Sequence, residues 1–407
     1  MNSASVDLIY LDPPYSKNKT YSAPIGSKAA GAWFKDTWTL DDVNLAWHGE
    51  IKHEHPGLYA LLQGTREVHS DGMMSYLISM AVRLMEMRRI LKPTGTIWLH
   101  CDPTAGHYLK ALLDCIFGYK NFVAEVAWFI GSRSGAIAKY KPGKAHETLL
   151  AYAASYKKHT YNIQYLPYSE KYLKWFRHED EHGRKYQTRK KNGKIKRQYL
   201  DESPGVPLHD TWMDISHLYT SQGWFPGNRS EITGYPTQKP LALLQRIIKA
   251  SSHEGDVVLD PFCGCATACI AAEIEHREWV GIDISPKAAD LVQDRMENEI
   301  GAFYEGVHRT DVPERTDLGK VIRYNDARNK RYLYGEQGGY CNGCETHFEL
   351  RHFHVDHIIP KAKGGTDHIS NLQLLCGHCN SVKGARSQEY LLACLTDKGW
   401  IKRKMVA

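Results

Sequence analysis

The feature that most constrains this chain is a short strand that runs into a rigid acid. Val6 to Leu11 is a mainly apolar run that stops at Asp12-Pro13-Pro14-Tyr15. The two prolines fix the backbone and leave carbonyls without competing amide hydrogens, so the C-terminal edge of the strand stays open. Further along, Met73 to Leu91 has helical apolar spacing and breaks at Lys92-Pro93-Thr94-Gly95. Thr96 to His100 predicts a strand, His107 to Ile116 a helix, and Asn121 to Ile130 another strand. Pro240 starts an amphipathic run from Leu241 to Ala250. Val257 to Asp260 predicts a strand, Thr267 to Ala272 the start of a helix, and Trp279 to Ile282 a strand ending at Asp283. Strands alternating with helices indicate an α/β fold with a mostly parallel sheet.

With 407 residues the chain has room for two or three domains, at about 150 residues each. No run approaches the roughly 18 apolar residues of a membrane span. The first residues lack the basic-then-apolar layout of a signal peptide. The expected location is therefore the cytoplasm, with no membrane partner. The net charge of +6 is unevenly placed: residues 131–200 carry +12 and residues 201–301 carry −9. Within the basic block, Arg184, Lys185, Arg189, Lys190, Lys191, Lys194, Lys196 and Arg197 are interleaved with Tyr186 and Tyr199. Such a pattern suits phosphate neutralisation and base stacking, or simply a solvated loop. The segment from Gly131 to about Trp212 predicts an inserted, partly β subdomain. Residues 302–335 are polar and predict a linker.

Ten cysteines in a cytosolic chain argue for thiols or metal rather than disulfides. Four form two Cys-x-x-Cys pairs, Cys341/Cys344 and Cys376/Cys379, the spacing of a structural zinc clamp. The other six read as small buried apolar residues.

In an open α/β sheet, ligands sit at the carboxyl ends of strands. Two such ends carry polar turns: Asp12 to Tyr15, and Asp260-Pro261-Phe262-Cys263-Gly264-Cys265-Ala266-Thr267. The next strand ends in Asp283, 23 residues after Asp260, where a nucleoside ribose is usually held. Together with Thr237-Gln238-Lys239-Pro240, and in this order, these motifs resemble the circularly permuted β group of DNA amino-methyltransferases over about residues 5–301. The resemblance implies a Rossmann-like methyltransferase sheet, S-adenosylmethionine as methyl donor, and a target-recognition region inserted at 131–235. It implies catalytic roles for Asp12, Pro13, Pro14 and Tyr15, with Tyr15 stacking on a flipped base. Lys239, Asp260, Phe262, Gly264 and Thr267 would hold the methionine end of the cofactor, and Asp283 the ribose. Adenine is the preferred target base over cytosine. Two departures stand out. Ala266 occupies the place of the family loop's second glycine, and the strand and turn that usually precede the catalytic strand have no counterpart before Val6.

Between the cysteine pairs lie His354-Val355-Asp356-His357, Lys363-Gly364-Gly365-Thr366-Asp367 and Asn371, and Asn380 and Lys383 follow the second pair. This arrangement resembles the HNH nucleases over about residues 335–392. It implies a small zinc-stabilised ββα-metal domain at 336–407. His357 would be general base and Asn371 would hold its loop. Asp356 and Asn380 would bind one magnesium or manganese ion. The chain is thus expected to be a site-specific DNA methyltransferase fused to an endonuclease, of restriction–modification, phage or mobile-element type. Its expected partner is double-stranded DNA, with a possible homodimer. A methyltransferase whose zinc module only binds DNA, and a non-catalytic DNA-binding protein, are the alternatives.

Overall fold

A computed structural model describes residues 1–15, 19–22, 33–36, 51, 55–131, 140, 142–218, 231–235, 237–301, 315–317 and 321–401. Strand β1 (Val6–Leu11) is buried along its whole length. Ile9 and Leu11 face one core with helices α1 (Pro56–Val68), α2 (Asp71–Ile90) and α3 (Gly106–Leu113), while Leu8 and Tyr10 face a second core on the other side. A strand covered on both faces needs apolar residues at nearly every position; Asp7 is the exception, its carboxylate paired with Lys92 and accepting from Val257 N. Helix α2 starts at Ser70, whose side chain accepts from the Met73 amide. It passes directly into β2 (Leu91–Cys101) through the Lys92-Pro93-Thr94-Gly95 segment.

The chain continues through β3 (Phe122–Phe129) and β4 (His146–Ala153) into an antiparallel pair, β5 (Lys185–Lys191) and β6 (Lys194–Tyr199). It returns by β7 (Thr211–Trp212), α4 (Leu241–Ser251), β8 (Val257–Asp260), α5 (Thr267–Ile274), β9 (Glu278–Gly281) and α6 (Pro286–Ile300). The large sheet has the order β7-β3-β4-β2-β1-β8-β9. Its β2-β1-β8-β9 part is parallel, as expected, but β4 runs antiparallel to both β2 and β3. Helices α4 and α5 build the second core.

Two features differ from the sequence reading. Strands β4 and β7 fall inside 131–235 yet belong to the central sheet. The basic composition around β4 masks an apolar stretch, Leu149 to Ala153, that is fully buried. The last nine residues of the expected linker, 327–335, belong to helix α7 (Ala327–Glu336), whose Leu333 joins the core of the C-terminal unit. That unit pairs β10 (Phe353–His357) with β11 (Leu372–Cys376), followed by α8 (Gly377–Lys383) and α9 (Gln388–Asp397). A largely polar helix with one inward leucine gives little periodic signal.

Candidate active sites

Because β1, β8 and β9 are adjacent and parallel, Asp12, Asp260 and Asp283 emerge side by side at one edge of the sheet. Lys239 brings the compensating charge. Its Nζ lies 2.5 Å from Asp12 Oδ2 and donates to the Thr237 carbonyl at 3.1 Å. The segment before it is knotted by Gln238, whose Oε1 accepts from Thr233 N and Oγ1 while its Nε2 donates to the Glu231 carbonyl. Burial alone would lower the Lys239 ammonium pKa, but the carboxylates of Asp12 and Glu147 more than reverse this. Tyr15 donates its hydroxyl to Asp12 Oδ1, so both oxygens of the acid are held. The Tyr15 ring is 8% exposed, with Lys239 over its face.

Asp260 has no such cation of its own. Burial, then the charges of Asp12 and Asp283, push its carboxyl up to about 8 despite a hydrogen bond from the Phe262 amide. Three acidic side chains against one lysine, with Asp260 kept protonated near neutral pH by its neighbours, make a site that favours a further positive charge. The sulfonium and ammonium of S-adenosylmethionine supply that chemistry, so the donor set fits the cofactor. The loop after β8 is shaped to receive it. Gly264 has φ +51, and a Cβ there would stand 2.8 Å from the Tyr235 ring, so no larger residue fits. Asp283 closes the loop by accepting from Gly264 N at 2.8 Å and from Ser285 N at 2.8 Å. Ala266 is also left-handed, at φ 58° and ψ 33°, a conformation costing a non-glycine residue about 1–2 kcal/mol. A glycine at this place would meet no such cost. Thr267 Oγ1 accepts from Arg295.

Beneath Tyr15 lies a buried polar chain. Tyr10 OH meets His100 Nδ1 at 3.1 Å, and His100 Nε2 lies 2.9 Å from Glu147, which Lys144 also contacts at 3.0 Å. Burial would raise the Glu147 carboxyl, but His100, Lys239 and Lys144 hold it well below the usual range.

The C-terminal unit holds a second constellation. The ligand atoms of Cys341, Cys344, Cys376 and Cys379 lie within 4.8 Å of one another, close to the about 3.8 Å separation that tetrahedral zinc imposes on four sulfurs. A hydrogen bond from Cys379 and backbone amides lower the Cys341 thiol, toward the thiolate form zinc takes. His357 ends β10, and its Nε2 lies 2.8 Å from Asp367, which Lys361 also contacts at 2.8 Å. Asn371 staples the loop between them. Its Oδ1 accepts from Ile359 N, and its Nδ2 donates to the Ile359 and Thr366 carbonyls. Asp356 Oδ2 is held by Lys383 at 2.9 Å and Gln373 at 3.0 Å. Lys383 also donates to the His357 carbonyl. Asn380 stands one helical step from Lys383 on α8, so the two share a face.

The sequence model of the N6/N4 "DNA methylase" family matches residues 6–294, and that of the "HNH endonuclease" family matches residues 341–386. The chain belongs to the DNA methylase family. A type II methyltransferase, M.HpaI of Haemophilus parainfluenzae, is 26% identical over 299 residues, 74% of this chain and 70% of that protein. The DNA adenine methyltransferase YhdJ of Escherichia coli K12 is 24% identical over 328 residues, 79% of this chain and 86% of that protein. Among solved structures, the M1.HpyAVI–SAM complex is 16% identical and covers 72% of this chain and 89% of its own, with a TM-score of 0.36. This methylase thus carries an HNH endonuclease domain, and DNA is its substrate.

The basic residues of the methylase lie on the β5–β6 hairpin, turned by Asn192 (φ 52°) and Gly193 (φ 75°). Lys185, Arg189, Lys190, Lys194, Lys196 and Arg197 are exposed, and Lys191 lies at the end of β5. Arg184 differs from them, because Asp201 and Glu202 pair with it at 2.7 and 2.6 Å. Sequence reasoning missed His100, Glu147, Arg295, Asp367 as the partner of His357, and Lys383 as the partner of Asp356. His100 ends a predicted strand, and Asp367 and Lys383 fall within the motif around the cysteine pairs; Glu147 and Arg295 are isolated in sequence, with no pattern to flag them.

Proposed function

We propose that the methylase domain transfers a methyl group from S-adenosylmethionine to the exocyclic amino group of adenine in double-stranded DNA. The observation that carries this is Asp12, held at the end of the central strand β1 by Lys239 and Tyr15 beside the cofactor loop. S-adenosylmethionine supplies a methyl group activated on a sulfonium sulfur. The protein's part is positioning and electrostatics. The amino nitrogen of a base is a poor nucleophile because its lone pair is delocalised into the ring. When its hydrogens are accepted by Asp12, in place of the Tyr15 hydroxyl, and by the Pro13 carbonyl, the nitrogen becomes more tetrahedral and its lone pair turns outward. A base must leave the duplex to reach this edge, and it stacks on Tyr15 once the covering side chains yield. The name of the E. coli relative favours adenine. Gly264, Asp260, Phe262, Thr267 and Lys239 would hold the methionine end, and Asp283 the ribose. Exposed lysines on the β5–β6 hairpin would follow the DNA backbone. Transfer of tritium from labelled S-adenosylmethionine to DNA, lost in Asp12→Ala, tests the reading; no transfer with any DNA would end it.

The C-terminal domain is read as a zinc-clamped nuclease. His357 would activate water, and Asp356 and Asn380 would bind magnesium or manganese. One observation favours a second reading, a DNA-binding module without cleavage: Asp356 Oδ2 is already held by Lys383 and Gln373. Supercoiled-plasmid nicking with magnesium or manganese separates the two. Nicking by the parent chain and not by His357→Ala supports cleavage; equal inertness supports the binding module. A methylase and a nuclease in one chain suit restriction–modification or a mobile element, in a cytoplasm where DNA is accessible.

A further inference from the structure

Arg295 is a buried cation for which the reaction described above has no role. It projects from α6, the helix that follows Asp283, and is 3% exposed. Its Nη1 donates to the Cys265 carbonyl at 2.8 Å and to Thr267 Oγ1 at 2.9 Å. Those two acceptors flank Ala266, the residue held left-handed with its side chain fully buried. A guanidinium is costly to bury unless it is hydrogen-bonded, and these two acceptors supply such bonds.

We propose that Arg295 is a positioning residue that holds Ala266 in the left-handed conformation and so keeps the turn between β8 and α5 open for the methionine end of the cofactor. Glycine would hold this turn unaided, because it populates the left-handed region freely. Alanine does not, and tends to relax to negative φ. One donor bridging the residues on either side of Ala266 removes the freedom to do so. Asp283 performs the matching task two residues before Ala266 by accepting from Gly264 N. Asp283 and the helix α6 that follows it therefore grip the cofactor loop at two places. This proposal rests on the reading of the loop as the S-adenosylmethionine site.

The test uses the full chain and the four combinations of R295M and A266G. Isothermal titration calorimetry gives the S-adenosylmethionine Kd. Amide hydrogen exchange without cofactor gives loop order directly, at Ala266 N and Ile270 N, which bond to Cys263 O and Ala266 O. R295M should weaken binding about tenfold, the worth of one charge-assisted hydrogen bond, and speed exchange at both amides. In the A266G background the same change should cost less than about threefold and leave exchange nearly unchanged. Equal losses in the two backgrounds overturn the proposal. So does a non-cooperative melt for R295M in both, which would make Arg295 a general strut. If the parent chain binds no cofactor, the site reading fails, while the exchange comparison still decides whether Arg295 restrains Ala266.

Discussion

Lys239 and Asp12 are 227 residues apart in sequence, and Lys239 Nζ lies 2.5 Å from Asp12 Oδ2. Lys239 is buried and Asp12 nearly so, where the end of β1 meets the segment that enters α4. Breaking a buried pair by removing one partner typically costs about 3–5 kcal/mol, because the other charge is left uncompensated. In Lys239→Met, the Asp12 carboxylate would lose the ammonium that fixes its Oδ2 and would no longer be aimed at an incoming amino group. Methyl transfer should therefore fall by about a hundredfold or more. A loss of less than about threefold would contradict this.

Asp260 makes a separate prediction. With its carboxyl at about 8, the cofactor-free site holds a proton at pH 7. An ammonium docking beside it favours the ionised form, so binding should release close to one proton per site at pH 7 and tighten as pH rises toward 8. Calorimetry in buffers of different ionisation enthalpy reads this directly. The sign for stability is opposite. Between about pH 4 and pH 8 the folded carboxyl keeps a proton that the unfolded chain has lost, so the stability of the cofactor-free protein should fall across that window and level off above it. Asp260→Asn should flatten that slope and abolish the proton release.

Much of this was legible in the chain because the informative groups lie next to backbone punctuation. Asp12 precedes two prolines, Asp260 begins a glycine turn, and the cysteines form paired knuckles, so local spacing betrays them. The antiparallel β4 was hidden by the charge around it. Arg295 and Glu147 were not readable because each acts on a group far away in sequence, and Lys383, though flagged beside the second cysteine pair, reaches its partner Asp356 across 27 residues. Arg295 reaches Cys265 across 30 residues, and Glu147 reaches His100 across 47. Only the sheet order and helix packing bring such pairs together, and neither is a periodic property of sequence. The same reason hid the difference between Arg184 and its neighbours, which are all basic in composition.

That difference can be measured through salt dependence. Each phosphate contact contributes a slope of about −0.9 to log K against log salt concentration. Lys190→Ala, Lys194→Ala or Lys196→Ala should weaken binding to duplex DNA and reduce the slope by about one each, since these side chains are exposed on the hairpin. Arg184→Ala should leave the slope almost unchanged, because Asp201 and Glu202 already neutralise its guanidinium. Fluorescence anisotropy across a salt series distinguishes the two. An Arg184→Ala slope matching the lysine variants would mean that DNA displaces those carboxylates.

In the nuclease domain, the loop from His357 to Asn371 is held by contacts too close to accept a side chain. A Cβ at Gly365 would stand 1.7 Å from the Ile359 carbonyl oxygen and 2.8 Å from Asn371 Nδ2. Backbone cannot yield as a flexible side chain can, so Gly365→Ala should break the Asn371 staple. His357 would then lose its fixed relation to Asp367. If the domain cleaves, nicking should drop at least as far in Gly365→Ala as in Asn371→Ala. The zinc content should stay unchanged, since the four cysteines lie outside this loop. Methyl transfer should persist in both variants, because Asp12 and its partners are all in the N-terminal sheet region. Loss of zinc along with nicking would show instead that the staple supports the whole small domain, and the loop would then have no separate claim on the chemistry.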